Sequence, residues 1–227
     1  MHSKNEPKPG SPLRLRYLAY DIGRFLGVLP ALLFLRPKCL YESDDAKHFL
    51  RGGNILIANH TSFWDPVVLL FTYWYRRLHI VAAKELIKNG AMRVLFAAMQ
   101  TIIVDRSNIR LSLFSDVDAR LRDRRIVALF PEGAVNRGGD SVNEFKSGAV
   151  LMALRAGVPI VPLYIAPRRH WCSRSVIVRG AAIDVKAACA AHPGMEGLNL
   201  VTEQLHDKEV QLASLYQDYS NKRKERK

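Results

Sequence analysis

From residue 54 onward, short continuous apolar runs alternate with stretches whose apolar residues recur every three or four positions. The runs read as buried strands: Asn54 to Ala58 (NILIA), Leu78 to Ala83 (LHIVAA), Thr101 to Val104 (TIIV), Ile126 to Phe130 (IVALF), the extended Val158 to Ile165 (VPIVPLYI) and a short Val176 to Val178. The stretches between them read as helices. One runs from Pro66 to about Arg77, one from Glu85 to Met99 despite Gly90, and one carries Ile109, Leu113, Val117 and Leu121 as a core-facing stripe. A fourth spans Phe145 to Arg155 and stops at Gly157, and Val201, Leu205, Leu212, Leu215 and Tyr219 mark a closing helix. Repeated alternation of this kind predicts an α/β fold, a largely parallel or mixed sheet with helices on both faces. No internal repeat interrupts it.

The front of the chain follows another pattern. Leu13 to Leu35 (LRLRYLAYDIGRFLGVLPALLFL) is rich in Leu, Phe and Tyr, but Arg14, Arg16, Asp21 and Arg24 interrupt it. Its uncharged part, Phe25 to Leu35, falls short of the about 20 apolar residues that cross a bilayer and suits an interfacial helix. Basic residues ahead of an apolar stretch also suggest a signal peptide. No small-x-small cleavage pattern follows, however, and Arg36-Pro37-Lys38 comes instead, so the segment is expected to be retained.

Charge strengthens that reading. The formal net charge is +13 in 227 residues, and much of it sits at the ends. Lys4, Lys8, Arg14, Arg16, Arg24 and Arg36 outweigh Glu6 and Asp21 at the front, and Lys222, Arg223, Lys224, Arg226 and Lys227 outweigh Glu225 at the back. A polyanion is the expected partner, and the apolar front favours anionic lipid over nucleic acid. The predicted organisation is a membrane-interfacial segment over 1–40, an α/β domain over 41–219 and a basic tail over 220–227. With 48% apolar residues, the chain has material for one large core. Cys39, Cys172 and Cys189 are odd in number and widely spaced, which reads as small core residues in a reducing compartment, not a disulfide framework or a metal site.

Candidate chemistry collects where strands end. In Asn59-His60-Thr61-Ser62-Phe63-Trp64-Asp65-Pro66, His60 and Asp65 are five apart, a spacing that fits neither one helix face nor one strand face. They meet only across a bend between the strand before His60 and a helix that Pro66 opens, with Asp65 as the expected N-cap. An imidazole held by a carboxylate is a general base with its orienter. Asp105-Arg106 follows another strand, and Phe130-Pro131-Glu132-Gly133 closes a third in a turn expected to present Glu132 outward. Taken singly, each has a bland alternative: a cap beside a core histidine, a surface cation, a solvated turn carboxylate. No P-loop, GxGxxG or GxSxG pattern occurs, and no cluster of metal-ligating residues stands out.

Taken in order, these pieces resemble the lysophospholipid/glycerol-phosphate acyltransferase family. NHTSFWD at 59–65 resembles its first block, TIIVDR at 101–106 its second, FPEG at 130–133 its third and VPIVPLYI at 158–165 its fourth, with Lys84-Glu85-Leu86 and Phe145 to Ala149 resembling connecting segments. The resemblance spans roughly residues 50 to 180 and implies roles. His60 would be the general base on an acceptor hydroxyl, Asp65 its orienter, Glu132 and Gly133 acceptor-side positioning groups, and Arg106 and Lys84 the positive charge for a head group. The donor would be acyl-CoA or acyl-carrier protein, the acceptor a lysophospholipid, most readily lysophosphatidic acid, with no cofactor or metal. A peripheral or monotopic position on the cytoplasmic face of the cell membrane is expected.

Two departures from the family's pattern stand out, and the second bears on the acceptor. Gln100 stands where the second block usually opens with Gly, and Ala134-Val135-Asn136 stand where the third usually continues Thr-Arg-Ser. Val135 thus replaces the family's usual phosphate-contacting arginine. Either Arg137 takes over that contact, or the acceptor is a non-phosphate lysolipid or amphiphilic alcohol. A reading of another class is a non-catalytic basic protein that binds lipid or nucleic acid.

Overall fold

The computed structural model describes residues 18–106, 108, 111–136, 143–168, 170 and 173–225. Ile109, Arg137 and Cys172, the front residues 13–17 and the last two basic residues lie outside that set. In chain order the elements are α1 (Leu18–Leu35), β1 (Lys38–Tyr41), β2 (Asn54–Ala58), α2 (Asp65–Thr72), β3 (Leu78–Ala83), α3 (Gly90–Ala98), β4 (Ile102–Val104) and α4 (Leu111–Arg122). Then come β5 (Ile126–Leu129), α5 (Gly148–Ala156), β6 (Ile160–Ile165), β7 (Val176–Arg179), α6 (Val185–Cys189) and α7 (Met195–Glu225).

The strands form one seven-stranded sheet in the order β1-β7-β6-β2-β5-β3-β4. Five neighbouring pairs run parallel and the β6–β7 pair antiparallel, so β1 and β7 oppose the other five in a mixed α/β sheet. The apolar runs are continuous because both faces are covered. Ile55, Ile57, Val127, Leu129 and Ile160 face the layer of α4, α5, α6 and α7, while Leu56, Ala58, Ile126, Ala128, Val161 and Leu163 face α1 and α2. Alternate side chains of one strand therefore feed two cores.

Where the elements differ from expectation, local chemistry explains it. The helix opened by Pro66 ends at Thr72, and the expected 85–99 helix is a 3₁₀ turn at Lys84–Leu86 followed by α3. Asn89 makes the break: it caps α3 by accepting the Met92 N–H at 2.9 Å. The helix expected from Phe145 begins at Gly148, and α7 runs on through 220–225. Neither β1 nor α6 is legible as an apolar run. The front segment is docked, not free. Tyr20, Ala31 and Leu35 are buried, the Tyr20 hydroxyl donates to the Leu78 carbonyl and accepts the Leu78 N–H, and Arg77 pairs with Asp21. Its other side exposes Phe25 at 74%, Leu29 at 65% and Leu33 at 68%. No described helix is long and apolar enough to cross a membrane.

Candidate active site

The carboxyl ends of β2 and β5 lie side by side in the parallel sheet, so the residues just beyond them meet. Asn59, the first residue past β2, is buried and clamps the end of β6, donating to the Ile165 carbonyl at 3.0 Å and accepting the Ile165 N–H at 2.6 Å. This fixes where the chain leaves the sheet. His60 comes next.

Asp65 does not act as the expected N-cap. Trp64 occupies that position, without a side-chain cap, and the helix already includes Asp65. The carboxylate turns back instead: its Oδ2 accepts the Thr61 N–H at 2.8 Å, the Ser62 N–H at 2.7 Å and stands 3.0 Å from His60 Nδ1. A helix-facing carboxylate would have satisfied one N–H. Turned inward, it satisfies two backbone donors of the bend and the imidazole. An ionised carboxylate only accepts, so Nδ1 carries the proton and Nε2 is left with its lone pair. Phe130 stacks on the imidazole, ring centres 4.1 Å apart and planes 19° apart.

Glu132 is likewise turned inward, not outward. It is buried, its Oε1 accepts the His60 N–H at 2.9 Å, and its Oε2 is 3.4 Å from the Asn143 nitrogen. Gly133 permits this: at φ +73 its N–H returns to the Phe130 carbonyl, and the reversal drops the preceding carboxylate onto the β2 exit. Burial raises the Glu132 carboxyl above its ordinary range, with the His60 and Asn143 N–H groups opposing. The Asn136 N–H reaches back to the His60 carbonyl at 2.6 Å. Both peptide groups of His60 are thus held by the FPEG loop.

The structure brings His60, Asp65, Glu132 and Gly133 together. Lys84 and Arg106 lie apart from that network: the Lys84 ammonium, 65% exposed, pairs with Asp105 at 3.2 Å, and Arg106 is exposed on the turn beyond β4. Val135 is 39% exposed on the loop, and Arg137 lies outside the described residues. Sequence reasoning gave no role to Asn59, Phe130 or Asn136, although the first two sit inside the quoted blocks. Beside the His60 turn, an apolar groove of about 720 Å³ opens between α1 and α2, lined by Pro30, Phe34, Ser62, Trp64, Val67 and Phe71 among others. Among the described residues no His, Cys, Asp and Glu cluster could hold a metal ion.

A family model described as an acyltransferase matches residues 40–166. The chain is 30% identical over 129 residues to a 1-acyl-sn-glycerol-3-phosphate acyltransferase of Borreliella burgdorferi, covering 56% of this chain and 51% of that protein. It is 30% identical over 160 residues to a protein of the same description from Salmonella typhimurium, 69% of this chain and 62% of that one. A plant relative of that description, from Limnanthes douglasii, is 33% identical over 186 residues, 79% and 62%. The chain thus spans from about half to 62% of the length of these relatives. The crystal structure of the 1-acyl-sn-glycerophosphate (LPA) acyltransferase PlsC from Thermotoga maritima has the same fold, with a TM-score of 0.60 at 20% identity, covering 88% of this chain and 80% of that one.

Proposed function

We propose, proceeding from the fact that this chain belongs to the acyltransferase family, that it carries a fatty acyl group from a thioester to the free hydroxyl of a lysophospholipid, lysophosphatidic acid first among them, giving phosphatidic acid. The observation that carries the reading is the Asp65 carboxylate, which holds His60 Nδ1 at 3.0 Å and leaves Nε2 as the base. Nε2 takes the acceptor's hydroxyl proton as its oxygen attacks the thioester carbonyl. The tetrahedral intermediate then collapses, the C–S bond breaks, and the imidazolium returns the proton to the departing thiolate. Asp65 stabilises that imidazolium throughout. A thiolate leaves readily enough that no covalent enzyme intermediate is required.

The relatives named as 1-acyl-sn-glycerol-3-phosphate acyltransferases support the acceptor class. The groove beside Ser62 and Trp64 suits an acyl chain whose reacting end lies at His60. Arg106 and Lys84 supply positive charge for the head group. Val135 supports a second reading, an acceptor without phosphate at that position, because a valine can neither neutralise nor hydrogen-bond one. Acyl-CoA or acyl-carrier protein, incubated with the protein and lysophosphatidic acid, should release free thiol in step with phosphatidic acid. Folded protein that releases none with any acceptor would defeat the reading.

The protein works at the surface of a membrane with anionic lipid, on its cytoplasmic side. The exposed row on α1, with Arg24 and Arg36 beside it, supports this. Phe25→Glu with Leu33→Glu should abolish flotation with phosphatidylglycerol vesicles while leaving the fold intact; unchanged flotation would remove α1 as the anchor.

A further inference from the structure

The inward stripe of α7 runs Leu198, Val201, Leu205, Leu212, and Glu209 falls on it, four residues after Leu205 and three before Leu212. Its exposure is 0%. Neither carboxyl oxygen has a hydrogen-bond partner of good geometry among the described residues. An ionised carboxylate in such a place is strongly disfavoured, and the neutral acid is the form the site accommodates. Two polar groups act on it electrostatically: the Glu132 carboxyl, from the loop after β5, and the Asn59 N–H, at the exit of β2. Burial first, and the negative charge of Glu132 second, raise the Glu209 carboxyl well above its ordinary range, with the Asn59 N–H opposing.

Those two neighbours flank the catalytic turn. Asn59 precedes His60 and locks its exit from the sheet, while Glu132 accepts the His60 N–H. We propose that Glu209 is a positioning residue of the acyl-transfer site: a fully buried carboxyl group on α7, with neither oxygen hydrogen-bonded among the described residues, that supports the Asn59–His60 backbone and the Glu132 carboxyl group. The reason it must stay neutral is electrostatic. A second carboxylate beside Glu132 in a water-poor interior would force one of the two to take up a proton or move away. Glu132 cannot do either without loosening its hold on the His60 N–H.

The inference rests on the acyl-transfer reading for its kinetic arm only. The first measurement needs no substrate: chemical-denaturation stability against pH for wild type and Glu209→Gln. The native chain holds a proton on Glu209 where the unfolded chain, with its ordinary carboxyl, has released it. Wild-type stability therefore falls as pH rises from the unfolded value toward the raised native one. Glu209→Gln should lack that component of the fall and be the more stable variant at pH 8. The second is kinetic. Glu209→Gln, which stays neutral, should keep kcat within about threefold of wild type at pH 7 and carry its activity to higher pH. Glu209→Leu should lose tenfold or more in kcat with KM unchanged. The third is the Nδ1–H proton resonance of His60, expected to persist in the Gln variant and to shift or broaden in the Leu variant. An unaltered stability slope in Glu209→Gln would overturn the neutral acid. A Leu variant with wild-type kcat and an unmoved His60 resonance would overturn the positioning role. If Glu209→Leu does not fold, the Gln variant's stability slope and pH profile decide alone. Absence of thiol release by wild type would sink acyl transfer while leaving the stability and resonance arms in force.

Discussion

The exits of β2 and β4 hold the two sets of polar side chains that the proposed chemistry uses, and they are built in opposite ways. Beyond β2, Asn59, Asp65 and Glu132 are buried, and the amides of residues 60, 61 and 62, with the imidazole, are taken up by two carboxylates. Beyond β4 and its neighbour β3, the cations are displayed: Lys84, just past β3, pairs with Asp105 across solvent, and Arg106 stands exposed past β4. A proton acceptor works only in a narrow geometry, so its support is dry, short and over-determined. A charge that attracts a phosphate tolerates latitude, and burying it without its ligand would cost stability. Substitutions at the first exit should therefore act on kcat and those at the second on KM.

The largest expected effect is that of His60→Ala. General-base catalysis contributes on the order of 10²–10⁴ in rate, and kcat/KM should fall within that range or further. Stability should change by about 1 kcal/mol or less, the stacking on Phe130 being the main loss. Near-normal turnover in thiol release would reassign the base.

Asp65→Ala comes next and should do two kinds of harm. The Thr61 and Ser62 N–H groups lose their acceptor in a half-buried bend that water can partly reach, which costs about 1 kcal/mol, the low end for a group left unsatisfied. The imidazole also loses its orienter, so kcat should drop roughly 10²-fold or more by misorientation alone. Denaturation curves and kcat measured together separate the two. A fall in rate with no fall in stability would mean that the bend holds itself.

The sequence made parts of this arrangement readable for specific reasons. NILIA, IVALF and VPIVPLYI are legible because strands covered on both faces carry no polar alternation to confuse them with anything else. Lys38–Tyr41 is not, because it is an edge strand of mixed residues whose partner, β7, comes some 140 positions later. The pairing of His60 with Asp65 followed from a spacing that no regular element satisfies. The direction of the Asp65 and Glu132 carboxylates did not. It depends on side-chain torsions chosen by competing backbone donors, and those donors become neighbours only once β2 and β5 pair. Glu209 was hidden for a related reason. Its helical phase, read from Leu205 and Leu212, marks it as inward, but only the folded chain brings it within reach of Asn59 and Glu132, the two neighbours of His60.

At the β4 exit, effects should be smaller and of the other kind. If Arg106 meets the acceptor's phosphate as proposed, Arg106→Ala should cost on the order of 2 kcal/mol in kcat/KM, expressed chiefly in KM. Lys84→Ala should cost about 1 kcal/mol or less, since its ammonium is already shared with Asp105 and screened. Arg137→Ala addresses the valine at 135: a compensating arginine predicts a loss near that of Arg106→Ala for lysophosphatidic acid, with little loss for a neutral acceptor. Equal small effects on both acceptors would favour the phosphate-free substrate. A kcat effect at Arg106 as large as its KM effect would erase the division between the two exits.

The smallest effect tests whether the β4 side carries strain that the β2 side does not. Gln100, between α3 and β4, sits at φ +53, the left-handed region that disfavours side chains bearing a Cβ. Glycine is the residue that the resembling block usually places there, and the backbone now supplies the reason. The conformation is held because the Gln100 N–H returns to the Ala97 carbonyl and the Thr101 N–H to the Phe96 carbonyl, closing α3 before the chain turns into β4. The Gln100 carbonyl also faces His79 Nδ1 at 3.0 Å, so the turn cannot relax without disturbing a buried imidazole. Gln100→Gly keeps every one of these backbone bonds while removing the steric cost. It should raise stability by about 0.5–1 kcal/mol, after the greater freedom glycine gives the unfolded chain is set against the relief. kcat and KM should stay at wild-type values, because the change ends at the start of β4, while Arg106 stands beyond its far end and Lys84 beyond the neighbouring end of β3. A loss of stability would mean that the Gln100 side chain, which donates to the Ala97 carbonyl at 3.1 Å, contributes more than its conformation costs.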